Sequence, residues 1–333
     1  MRLISLLLIA LGTAAQADSV NVYSSRGESL IRPLFDQFTE QTGIDVKVLS
    51  ADPGALLSRL RLEGSATPAD VILTSDAGNL AAAKDANVLQ AVDSDILESA
   101  IESSLQDKDN QWFGVSMRGR VVVAANRVDP SEDPASIMDL ADDKYEGRIC
   151  VRSSSNVYNQ SMLAGIIINH GEQAAETWAQ GIVKNFARIP EGNDRAQINA
   201  VAEGKCDFAM INTYYLGIML SDPAQAPNAR EVRVVFTDQA STGNHANVSG
   251  IAMTKHAKNK VAAQKLMEFM VSESAQTWYA DDNHEYPITA NAKTSALVKS
   301  WTPDDVKFDK AAVANLGAYN AASVKIFDRV GWP

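Results

Sequence analysis

Apolar and polar residues alternate through SVNVYSS (19–25), the period-two pattern of a half-buried strand, and the pattern breaks at Arg26-Gly27. Leu30, Leu34, Phe35 and Phe38 then recur at helical spacing, with Pro33 in the first turn and Gly43 as a stop. IDVKVLS (44–50) reads as a second strand, Leu56, Leu57 and Leu60 mark a second helix, and ADVILTSD (69–76) is a third strand. Strands and helices alternating at this spacing predict an α/β sheet with helices on both faces. Ligands of such sheets gather at the carboxyl ends of the strands. Tyr23-Ser24-Ser25-Arg26 and Thr74-Ser75-Asp76 fall there, facing an expected cleft.

A second unit repeats the logic. GRICVR (147–152) leads into a helix over 158–168, another helix runs over 172–186 after Gly171, and CDFAMIN (206–212) is a strand that ends at the pair Tyr214-Tyr215. Two apolar stretches, GRVVVAANR (119–127) and REVRVVF (230–236), have no helical period. They read as crossover strands: the chain leaves one lobe, builds a second and returns.

The first segment, MRLISLLLIALGTAAQA, has a basic start at Arg2, an apolar run from Leu3 to Leu11, and Ala15-Gln16-Ala17. That layout is a secretory signal, with residues 1–17 removed by cleavage after Ala17. The run is shorter than the roughly 20 residues of a membrane span. The alternative, an uncleaved anchor, leaves the small residues at the cleavage site without a use. A periplasmic chain with no stable membrane insertion is expected. Loss of Arg2 leaves 29 basic against 41 acidic side chains, a net charge of −12. Such a surface repels nucleic acid and anionic membranes. The remaining 316 residues exceed the size at which single cores stop growing, roughly 250–300 residues.

The two cysteines, Cys150 and Cys206, sit on the segments GRICVR and GKCDFAMI. In an exported protein an even pair reads as a disulfide, here between neighbouring parallel strands; two buried thiols are the other reading. An exported, acidic, two-lobed α/β chain with two crossovers has the architecture of a periplasmic-binding-protein fold of the type II-like kind, closing about its hinge as a monomer. The expected lobes are 18–118 with 237–290, and 119–236 with 291–333.

Polar groups at strand ends or helix starts are Arg26, Glu28, Asp76, the run Ser153, Ser154, Ser155, Asn156, then Tyr158, Tyr214 and Tyr215. Asn212 and Thr213 are suited to cap a helix that begins at the tyrosine pair, where both phenols can swing toward one point. Tyr158 occupies the equivalent place in the neighbouring unit. Three neutral phenols would line an ordinary sugar or aromatic pocket. A hard trivalent cation would deprotonate them, and three phenolates cancel the charge of Fe³⁺. Calcium or magnesium would call for clustered carboxylates and zinc for His or Cys; neither cluster is visible.

Several stretches carry a resemblance to the ferric-iron-binding proteins of bacterial periplasmic iron uptake: VNVYSSR, TPADVILTSDAGNL, WFGVSMRGRVVV, ICVRSSSNVYNQS, PEGNDRAQINAVAEGKCD, NTYYLG, GNHANVSGIAM and NHEYP. They run along nearly the whole chain. The resemblance implies a two-lobed fold, Fe³⁺ ligation by Tyr158, Tyr214 and Tyr215, and delivery of iron to an ABC-type ferric iron permease in the inner membrane. Several branches of that family complete the iron shell with His-Tyr just after YSSR. Here the stretch continues Arg26-Gly27-Glu28, so the chain resembles the branch that uses a small synergistic anion such as carbonate or bicarbonate. Arg26 and Arg118 are the expected anion partners, because a guanidinium matches an oxyanion bidentately. Backbone N–H groups of Ser154, Ser155 and Asn156 could join them. Glu28 as a direct metal ligand is the competing reading. His245, in a Gly/Asn-rich loop, reads as a lobe contact, and NHEYP as a turn. Readings of other classes are a secreted solute- or oxyanion-binding protein without iron, and a tyrosine-dependent enzyme. No G-x-S-x-G, P-loop or paired-carboxylate pattern argues for catalysis, so no enzyme is expected.

Overall fold

The computed structural model describes residues 19–333; the expected signal segment and its cleavage site lie outside them. Nine strands among the described residues join in one curled sheet: β1 (Ser19–Ser24), β2 (Asp45–Ser50), β3 (Val71–Thr74), β4 (Phe113–Ala125), β5 (Ile149–Cys150), β6 (Phe208–Asn212), β7 (Val232–Val235), β8 (Asn244–Met253) and β9 (Phe308–Asp309). The order is β2-β1-β3-β8-β4-β6-β5, with β7 on β4 and β9 on β8. The strands β1, β2 and β3 are parallel, as the alternation of strands and helices requires. The expected helices form as Val157–His170 and Glu172–Lys184, and the first helix, Arg32–Thr42, stops at Gly43 in a left-handed conformation that glycine adopts without strain.

All 13 residues of β4 are buried. Its first half pairs antiparallel with β8 from Phe113 to Gly119, and its second half pairs with β6 and β7 from Arg120 onward. Two cores follow from this division. One contains Val20, Phe35, Phe38, Leu73, Phe113 and Met117; the other contains Val121, Val123, Ile149, Trp178 and Phe208. The expected crossover at 119–127 is therefore the waist of β4. The segment 230–236 behaves differently. β7 stays along the second half of β4, whose edge it satisfies, and the chain returns through 237–243 into β8. Val298 and Val313, placed with the second lobe by the sequence, are buried in the first core. The final helix, Leu316–Val330, bridges: Gly317 lies against Ala81, while Ile326 and Phe327 enter the second core.

Cys150 and Cys206 are bonded with Cα atoms 5.9 Å apart, well inside disulfide range. Cys150 ends β5, and Cys206 lies two residues ahead of its parallel neighbour β6.

A strand buried on both faces normally reads as a continuous apolar run. β4 breaks this rule with Arg118 and Arg120, which project to one face because they are two residues apart. Buried guanidinium groups persist only where anions meet them. Those anions are Asp76 and Asp194, both fully buried.

Candidate metal centre between the lobes

β6 ends at Asn212, and the next residues open the helix Thr213–Ser221, so Tyr214 and Tyr215 occupy its first turn. Their rings lie 4.2 Å apart, centroid to centroid, at 30°. Tyr158 is the second residue of the helix Val157–His170, which follows β5 after a turn. Its hydroxyl is 3.3 Å from the Tyr214 hydroxyl. Two strand-to-helix junctions thus bring three phenols together, as the parallel placement in the sequence predicts. Tyr214 is buried, and Tyr158 and Tyr215 are half-buried. Tyr158 shares a narrow cavity with Arg118, Arg120, Asn212, His245 and Asn247, where the two halves of β4 meet.

Burial pushes the Tyr214 and Tyr215 phenols well above the ordinary value; Tyr158 and the Asp194 carboxylate raise both further. Both therefore hold their protons until something replaces them. Guanidinium groups stand around the rings: Arg118 and Arg152 each lie 5.5 Å from the centre of the Tyr158 ring, and Arg195 lies 5.6 Å from that of Tyr215. Among the described residues no group of three or more His, Cys, Asp or Glu could hold a metal ion.

Arg118 donates through Nη2 to the Ser75 carbonyl and, at 3.5 Å, to Asp76. Its Nη1 and the Asn212 Nδ2 are buried with no hydrogen-bond partner among the described residues. Arg26 and the backbone N–H groups of Ser154 and Asn156, the other expected anion contacts apart from the Ser155 N–H, are engaged elsewhere. Arg26 makes a buried bidentate pair with Glu285, at 2.5 and 3.2 Å, and also donates to Ser249 and the Leu30 carbonyl. The Ser154 N–H donates to the Pro333 carbonyl at 2.7 Å, the Ser155 and Ser153 hydroxyls bond each other, and the Asn156 N–H closes a turn on Ser153. Glu28 is exposed, in an i,i+4 pair with Arg32; the structure does not bring it to the phenols. A segment starting Gly27-Glu28 forms only a 3₁₀ turn on the surface, which points its carboxylate to water.

The sequence reading missed three groups. Asp194 opens the helix Asp194–Ala202 and accepts from Arg120 (3.0 Å), Arg152 (2.7 Å) and the Asn212 N–H (3.1 Å). Asp76, singled out only as a strand-end polar group, caps the helix Ala77–Asp85 and accepts from Ser161 (2.8 Å) on the helix that carries Tyr158. His284, placed in a turn, reaches Ser221 at 2.9 Å with its ring against Gly217. The available signal was charge in apolar context: Arg118 and Arg120 in a strand, and Arg152 closing ICVR, each demanding a partner.

The model of the family described as bacterial extracellular solute-binding protein matches residues 33–306. The iron uptake protein A1 of Synechocystis is 40% identical over 322 residues, covering 96% of this chain and 89% of that protein. The major ferric iron-binding protein of Neisseria meningitidis is 30% identical, covering 83% and 82%. Among solved structures, Trichodesmium IdiA (FutA), in complex with iron and citrate ligands, superposes with a TM-score of 0.88 at 41% identity, covering 95% of this chain and all of that one. The chain belongs to the bacterial extracellular solute-binding proteins, in the periplasmic ferric-iron-binding family.

Proposed function

We propose that this protein captures Fe³⁺ in the cleft through the phenolates of Tyr158, Tyr214 and Tyr215, and hands the ion to an ABC-type ferric iron permease. The observation that carries this reading is the 3.3 Å approach of the Tyr158 and Tyr214 hydroxyls, with Tyr215 stacked beside them. Three phenolates neutralise a ferric ion and supply the hard oxygen donors it prefers. They leave coordination positions open, and neither Glu28 nor a His-Tyr pair fills them. A small oxyanion, carbonate or bicarbonate, completes the shell; the unpartnered Arg118 Nη1 and Asn212 Nδ2 support a place for it. The protein works as a monomer, with residues 1–17 removed on export, and carries its cargo without catalysing a reaction. Titration of iron-free protein with ferric citrate will produce a visible phenolate-to-iron band that saturates at equimolar iron. A colourless protein, with calorimetry also silent, overturns the proposal and leaves an oxyanion carrier as its replacement.

A further inference from the structure

Beneath the three phenols lies a fully buried carboxylate that touches none of their hydroxyl groups yet reaches the framework of all three. Asp194 Oδ1 accepts from Arg120 Nη1 at 3.0 Å and from the Asn212 backbone N–H at 3.1 Å; Oδ2 accepts from Arg152 Nη1 at 2.7 Å. Each contact leads to a ligand. Asn212 is the residue before the helix whose first turn carries Tyr214 and Tyr215. Arg120 passes the connection through Nη2 to the Asn159 side chain at 2.6 Å, next to Tyr158, and Asn159 in turn donates to the carbonyls of Arg152 and Ser153. Arg152 holds its guanidinium 5.5 Å from the Tyr158 ring centre.

We propose that Asp194 is the positioning residue of the tyrosine triad. It locks the starts of both ligand-bearing helices and clamps Arg152 over Tyr158, so that the phenols stand in ligand geometry before the metal arrives. The chemistry favours this role. A carboxylate with two guanidinium groups and a backbone N–H on its two oxygens has its acceptor sites engaged and does not swing toward a metal. Preorganisation of this kind, through groups that hold ligands without touching the ion, typically governs affinity by about 10–100-fold. The inference rests on the tyrosine reading of the site.

The test uses the full mature chain at fixed pH. Wild-type protein with ferric citrate gives the reference band; if that band is absent, the tyrosine reading itself has failed and Asp194 is not in question. With the reference established, Asp194→Asn keeps the size and one acceptor oxygen but releases Arg152, and Arg152→Met removes the clamped cation while leaving Asp194 on Arg120. Both variants are expected to bind iron about 10–100-fold more weakly in citrate competition and to shift the energy of the band, which reports iron–phenolate geometry. The double variant is expected to be no worse than the worse single, since both break one contact. Arg152→Met sits on a partly exposed side chain and keeps the question answerable if Asp194→Asn does not fold. An unshifted band with wild-type affinity in Arg152→Met, or fully additive losses in the double variant, overturns the proposal.

Discussion

Proton release gives the sharpest quantitative consequence of a triad of phenols. An ordinary tyrosine titrates near 10, and burial with neighbouring negative groups raises Tyr214 and Tyr215 further. At neutral pH the ion must therefore displace a proton from each phenol it takes. Falling pH raises the competitor's concentration, so affinity falls with pH. Three phenols make the slope about three decades of affinity per pH unit, or about 4 kcal/mol at 1.36 kcal/mol for each proton. The assay follows the charge-transfer band against a chelator of known protonation constants at several pH values around neutrality. Circular dichroism in parallel verifies that the fold is intact. A slope of one decade or less refutes a site built from three protonated phenols, because at most one ligand would then be exchanging a proton for iron.

Tyr158→Phe removes a hydroxyl whose hydrogen-bond partner is Tyr214; the fold should stay at wild-type stability while iron affinity falls and the visible band weakens. Arg118→Gln should weaken iron binding and abolish any effect of bicarbonate depletion, whereas Glu28→Gln, on an exposed pair, should change neither; the reverse pattern in iron titrations would make Glu28 the ligand. Replacing both Cys150 and Cys206 by Ser opens a loop with a separation of 56 residues, and urea unfolding should show a loss of about 4 kcal/mol on a chain-entropy estimate. Asp76→Ala together with His284→Ala removes the contacts to Ser161 and Ser221, and small-angle scattering of the iron-free protein should show a larger radius than wild type; an unchanged radius refutes their part in closure.

The elements were legible where one interaction dominated. The alternation in SVNVYSS and the spacing of Leu34, Phe35 and Phe38 encode burial on one face, and both formed as read. The tyrosines were legible because two strand-to-helix junctions repeat the same arrangement, and repetition fixes relative position. Side chains whose partner lies far along the chain were not legible. Arg26 looked free for an anion because Glu285 is 259 residues away. β7 looked like a crossover because a short apolar strand is the same in sequence whether it spans two lobes or edges one. Asp194 lies in a polar stretch, PEGNDRA, with no local mark of being a buried carboxylate that holds two guanidinium groups and a backbone N–H under the site.

All three phenols belong to helices that pack on the second core, and this arrangement divides the work of the two lobes. An ion bound only by one lobe draws no direct force from the other. The first lobe therefore has to hold each ligand-bearing helix through contacts of its own. Asp76 does so on the helix of Tyr158, through Ser161. His284 does so on the helix of Tyr214 and Tyr215, through Ser221; a Cβ at Gly217 would come within 2.4 Å of the His284 Cβ and 2.6 Å of its ring, which accounts for the glycine there. His284 adopts a positive φ of 56° to make this reach, and burial lowers its pKa, so it enters the contact neutral. The anion we propose would sit where the lobes share a strand, beside Arg118, whose guanidinium already bonds to Ser75 and Asp76 of the first lobe. An anion there is the one ligand able to touch both halves. Its loss would loosen the ion and the closure together, which is the order of events a carrier needs when it meets its permease.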